Sequence, residues 1–321
     1  MVTEGKQVKQ KLRVFDILKE SVTLYFTNIN LIIFTLLTSL PFFFLVVYFE
    51  FLFQQTIVET PEIVSLLPFK ERTYTLRVLI SGVVETNIPD ESFSKDYLPV
   101  LIQLGFIYLV PLHVLELYSA VVTMDSASKL RAEENNMSLV DMFKTSIDIS
   151  TMKGTFITSL YMLFWSTCLL IAFPWTVSNC YIFFRGFGCF VLFAVICFLA
   201  LTKLLMVYLE WSAVWNMGFV VSVVDGIYGI GAFRVSYYLS RGNQNRGIIL
   251  MLVFFALGLW LRLPCVYLGC YKGGYGIFVQ TGLLTVVNTL KWVSCVIYCH
   301  DCKERKMEKK GDEELGKDLA K

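Results

Sequence analysis

A chain of 321 residues that is 56% hydrophobic, 15% aromatic and only 17% charged is unlike an ordinary soluble domain, which carries roughly 25% charge. Its formal net charge of +2 is too small to point to nucleic acid or to a strongly acidic partner. The composition excludes a water-soluble globule and leaves a protein whose main solvent is lipid.

The apolar residues cluster in runs of about twenty, the length that covers roughly 30 Å of hydrocarbon at 1.5 Å per residue. Lipid offers no partner to a peptide group, so each run must coil into an α-helix. The expectation is an all-α, polytopic integral membrane bundle of about six transmembrane helices with interfacial amphipathic helices beside them.

The first 30 residues are polar and Lys-rich, with no early apolar core or small-residue cleavage site, so no cleaved signal is expected. Within this amino-terminal segment, residues 8–27 place Val8, Leu12, Phe15, Leu18, Val22 and Tyr25 at helical spacing. Lys9, Lys11, Asp16, Lys19 and Glu20 fall mostly on other faces, which predicts an interfacial helix. A first span over 31–53 follows. Its Pro41 is tolerable where a neighbour satisfies the freed carbonyl, and Glu50 lies near its far end.

Residues 54–97 form the longest polar connection, acidic on balance, and a second span covers 98–124. A short amphipathic piece at 138–150 precedes spans three and four, 155–177 and 184–209, which turn tightly on each other around Asn179. Ser212–Val224 is apolar but too short for a straight crossing, so 211–241 reads as an interfacial or re-entrant helix. Spans five and six, 247–270 and 275–299, flank a Gly-rich turn, and a charged tail occupies 300–321.

Outside the spans, 19 Lys and Arg fall on the side of the two termini and 5 on the other. The positive-inside bias therefore predicts that both termini are cytosolic, in an endoplasmic reticulum, endomembrane or plasma membrane. A weak internal echo accompanies this arrangement: Phe143, Lys144 and Ser146 before span three match Phe233, Arg234 and Ser236 before span five. Both pieces suit a helix at the cytosolic interface, with an aromatic toward the core and a cation toward headgroups.

Charged groups inside spans cost roughly 2.5 to 3.5 kcal/mol each on insertion scales. His113 and Glu116 share a helix face beside Pro111, an arrangement open to two readings: a proton or cation site, or a polar pair holding helices in register. By depth, Lys203 or Lys291 could neutralise Glu116, or could snorkel to the interface instead. The same depth argument pairs Glu50 with Arg262 toward the other side.

Cys299, His300 and Cys302 sit beside the membrane, but a metal site needs a fourth ligand, so juxtamembrane palmitoylation or ordinary cysteines at a span boundary are the readings left. The nine cysteines lie mostly within apolar runs and suggest no disulfide framework. No nucleophile elbow, phosphate loop or zinc-protease motif occurs, and there are only two histidines. Enzymatic function and cofactors are therefore not expected. The tryptophans suit interface belts and core packing.

The stretch 208–247, with an acidic residue, a small-residue turn, Arg-x-Ser and a basic-Gly end, places Asp225, Gly226, Arg234, Ser236, Leu239, Arg241 and Gly242 in a recognisable order. It resembles a plant family of uncharacterised six-span membrane proteins, itself distantly similar to the membrane domain fused to some bacterial glycerophosphodiester phosphodiesterases. Asp225 stands where that pattern more often has Glu. The resemblance implies a six-span membrane domain and brings no activity with it.

The functional expectation is a non-enzymatic membrane adaptor or organiser. Its partners would be membrane lipids, with membrane-protein partners or self-association and no nucleic acid. The alternative is a transporter or channel built on His113, Glu116 and Lys203. The topology makes a first prediction: Asn136, in the only Asn-x-Ser/Thr glycosylation sequon that the chain contains, carries no glycan when the protein is made in a glycosylating host. A glycosidase-sensitive mass shift that disappears in Asn136→Gln would invert the topology.

Overall fold

The computed structural model describes residues 13–59, 98–132, 138–144, 149–184, 190–268 and 275–319. Val8 and Leu12, most of the acidic connection, Asn136, Ser146 and the turn at 271–274 lie outside them. Among the described residues the chain is helical throughout, without strands. The elements are α1 (Val14–Thr27), α2 (Ile29–Glu59), α3 (Leu98–Ile107), a π-helical turn (Tyr108–Leu112) and α4 (His113–Ala132). They continue with α5 (Leu139–Lys144), α6 (Ile149–Phe184), α7 (Phe190–Val224), α8 (Ile230–Ser240), α9 (Gln244–Leu268) and α10 (Tyr275–Leu319). Six of the helices contain segments long and apolar enough to cross a membrane, so the polytopic all-α bundle stands.

Two compact units emerge, one of Met1–Leu36, Ala120–Ala256 and Asn288–Lys321, the other of Leu37–Ser119 and Leu257–Val287. In the first, two helical stretches are buried on every face: Ala213–Val223 of α7 and Trp292–Cys299 of α10. A helix without a polar face is enclosed by protein or by lipid, and the burial of these two stretches within the chain shows that here it is protein. Phe219 and Trp292 meet with ring centroids 5.3 Å apart, and α1 closes another side through Ile17, Ser21 and Tyr25.

Tyr25, Leu31 and Phe34 pack with Val122, Leu130 and Met142. The Thr35 hydroxyl donates to the Leu31 carbonyl at 2.8 Å, so at 3.2 Å it is the Tyr25 phenol that donates to Thr35. Burial raises the pKa of that phenol.

The turn between α7 and α8 needs glycine twice, because Gly226 and Gly229 hold φ of 66° and 62°, the left-handed region that side chains disfavour. Thr158 of α6 accepts the Gly229 N–H at 2.8 Å. Gly154, one helical turn earlier on α6, leaves room for the Tyr228 ring. After the turn, α8 folds back along α7: Ser236 donates to the Val214 carbonyl at 2.6 Å, and Phe233 lies over Gly218.

In the second unit Glu50, 3% exposed, pairs with Arg262 at 3.0 Å, as the depth argument expected. Gln54 donates to Glu50 at 3.5 Å and to Gln280 at 3.3 Å. Pro111 lies within the π-helical turn, where the wider spacing accommodates its missing N–H.

Three expectations about boundaries are corrected. The helix of span three does not turn at Asn179 but continues to Phe184, with Asn179 donating to the Trp175 carbonyl at 2.7 Å. Span four does not end at Leu209, and 211–224 is not a separate interfacial helix: α7 runs unbroken to Val224 because its last three turns are enclosed core. Only Ile230–Ser240 forms a helix of its own. The charged tail continues α10 as helix to Leu319.

A methyl group added at Gly154 would overlap the Tyr228 ring. Gly154→Ala should therefore destabilise by about 1–3 kcal/mol, seen as a lower Tm in detergent, with Tyr228→Ala in the same chain restoring it. At Gly258, where nothing lies within 4 Å, the same change should be neutral or stabilise by up to about 1 kcal/mol.

Candidate functional site

The motif residues of 225–242 are organised around α8. Asp225 ends α7 and pairs with Lys303 at 2.6 Å, and Gly226 supplies the turn. Ser236 is fully buried and anchors the helix to α7. Arg241 caps the carboxyl end of α8 with its N–H on the Tyr237 carbonyl, and Gly242 turns the chain at φ 92° into α9. Arg241 and Arg234 are exposed.

Because α8 folds back, it forms one wall of a groove of about 710 Å³. From α6, Tyr161, Trp165 and Leu169 face it at four-residue spacing, which stacks them along one face of the helix. The α7 wall is Trp211, Val214 and Trp215, with the two indole rings 6.2 Å apart. Ile230, Phe233, Arg234 and Tyr237 complete it from α8. Among the described lining residues Arg234 is the one that carries charge. Trp165 and Trp211 remain 53% and 46% exposed, so the groove opens outward.

A second cluster joins α9 and α10. Asp301, its side chain 7% exposed, receives Arg246 at 2.8 Å and Arg305 at 2.8 Å, and Arg246 also donates to Asn243. The Tyr298 hydroxyl donates to the Asn243 carbonyl at 3.2 Å. Arg131 bridges Glu20 of α1, at 3.3 Å, and the Ile297 carbonyl of α10, at 3.2 Å. These links hold the helices that enclose the Trp292–Cys299 stretch.

The expected intramembrane cluster is divided between the units. His113 and Glu116 lie in the first turn of α4, half-buried, with His113 in the field of Glu116, and belong to the second unit. Lys203 is exposed on α7 and belongs to the first. Lys291 lies 4.1 Å from the centre of the Trp292 ring, a cation–π contact. Cys299 and Cys302 are buried, 1% and 0% exposed. Burial at this depth shields both thiols from an acyl transferase and makes them part of the core, rather than of an exposed span boundary.

The groove is what sequence reasoning missed. Its signal was present in the four-residue spacing of Tyr161, Trp165 and Leu169 and of Trp211 and Trp215, but each tryptophan was read singly, as a belt or core residue. The Arg246–Asp301 pair, 55 positions apart, left no local signal.

Removing the Asp301 charge leaves two arginines facing a neutral group in a largely buried place. Asp301→Asn should destabilise by about 3 kcal/mol, whereas Lys129→Met, at the half-exposed Lys129–Asp125 pair on α4, should cost about 0.3–0.5 kcal/mol. Thermal unfolding of the two variants side by side checks the contrast. No protein-family model, curated protein or solved structure matches the chain.

Proposed function

We propose that this protein is a non-enzymatic organiser of its membrane that binds lipid at the face the charge bias assigns to the cytosol, with Arg234 and Arg241 meeting anionic headgroups. The observation that carries this reading is the state of Arg234. Arg131, Arg246, Arg262 and Arg305 each meet a carboxylate, while Arg234 has no ion-pair partner among the described residues and borders an apolar groove. A guanidinium beside lipid is costly when unpaired and favourable when a phosphate receives it, often through two parallel hydrogen bonds.

Support also comes from α1. Ile17, Ser21 and Tyr25 are buried, while Phe15, Val22 and Phe26 lie exposed on other faces. A helix apolar on its outer side as well suits the headgroup–acyl boundary. In this reading both termini are cytosolic, the membrane is an endomembrane or the plasma membrane, and protein partners or a second copy would meet the same face.

The test is lipid retention by the full-length protein in mild detergent, read by native mass spectrometry after exposure to equal amounts of phosphatidylglycerol and phosphatidylcholine. Wild type should keep phosphatidylglycerol preferentially. Arg234→Ala with Arg241→Ala should lower that preference at least fivefold, and the corresponding double Lys variant should keep part of it. An unchanged preference in the double Ala variant refutes the reading.

A further inference from the structure

We infer that the groove between α6, α7 and α8 is a single-chain lipid site: one acyl chain of an anionic phospholipid lies along Trp165 and Trp211, and its phosphate meets Arg234. This deepens the proposed function and rests on it for the headgroup contact. Three features of the groove support it.

The first is length. From Tyr161 to Leu169 of α6 are eight residue steps, about 12 Å at 1.5 Å per residue, close to the roughly 15 Å depth of one leaflet's hydrocarbon. Both α6 and α7 line the groove from within membrane-length segments, Thr151–Asn179 and Ala194–Val224. The site therefore lies alongside bilayer chains and is matched to their extent.

The second is cross-section. The α8 wall is held in place, with Ser236 tied to Val214 and Phe233 seated over Gly218, so an occupant has to fit between walls that do not part. Collapse cannot fill the space. The Trp211 and Trp215 rings already lean on each other, tilted by 32°, and Tyr208 meets Trp215 edge-on. An apolar groove left empty forgoes dispersion contacts along its whole lining, which a slender chain restores without moving either wall.

The third is charge. The described lining offers rings and aliphatic groups with one formal charge, the guanidinium of Arg234. That combination is complementary to an amphiphile with an acidic head. A zwitterionic lipid brings a choline that Arg234 repels, so the site should discriminate by headgroup as well as fill by chain.

The experiment uses the full-length protein in phosphatidylcholine vesicles with 20 mol% phosphatidylglycerol, where bromine on the acyl chains of one lipid or the other quenches tryptophan on contact. Bromine on phosphatidylglycerol should quench at least twofold more, per mole, than bromine on phosphatidylcholine. Leu169→Phe, which plugs the groove, should abolish the excess, as should Arg234→Ala. Ile230→Phe plugs it from the α8 wall should the first variant fail to fold. Trp165→Phe, Trp211→Phe and Trp215→Phe together should remove the excess by removing the reporters.

Equal quenching by the two lipids overturns the inference, as does an excess that both plugging variants leave intact, or exclusion of brominated lipid by a second copy cross-linked through the groove. The two readings fail separately. Preferential retention lost in the double Ala variant, with no excess quenching, leaves headgroup binding standing and removes the groove. Unchanged retention in that variant removes headgroup binding, whatever the quenching shows.

Discussion

Two stretches of helix with no polar face, Ala213–Val223 and Trp292–Cys299, constrain everything around them in the first unit. Lipid alone would tolerate such surfaces, but it provides no drive to bring helices together, so close association must come from packing and from polar links between helices. Gly218 admits Phe233 and Gly154 admits Tyr228. Ser236 ties α8 to a carbonyl of α7, and Arg131 ties α1 to a carbonyl of α10. Each of these is a short-range contact that works only when backbones approach closely, and each lies on the rim of a fully enclosed stretch.

The six crossings were legible because hydrophobic length has a physical minimum that little else in a protein reproduces. The Glu50–Arg262 pair was legible for a related reason: two opposite charges at comparable depth in lipid have few other ways to be neutralised. Helix ends were not. Polarity falls and rises along 177–190 and 209–212, but Asn179 satisfies itself on its own helix and keeps the coil going. The thirteen apolar residues from Ser212 looked like a failed span and are the end of α7, enclosed on all sides.

The groove was illegible for a deeper reason. Its α6 and α7 walls carry regular spacing, but the third wall arrives only because Gly226 and Gly229 reverse the chain and Ser236 fastens it back. Nothing local in Phe233 or Arg234 says which tryptophans they will face. The same long-range closure separates arginines that serve the fold, each spent on a carboxylate, from Arg234, which among the described residues is left at the surface without an ion pair. In a membrane protein that division is informative, because an idle guanidinium beside hydrocarbon is hard to maintain without something to receive it.

The wide turn at Tyr108–Leu112 has a consequence of a different kind. A π-helical turn carries one residue more than the α-helical path requires. It works as an expansion joint, taking up that extra residue beside a proline that already lacks its N–H, so that the coil continues into His113–Ala132 without a break.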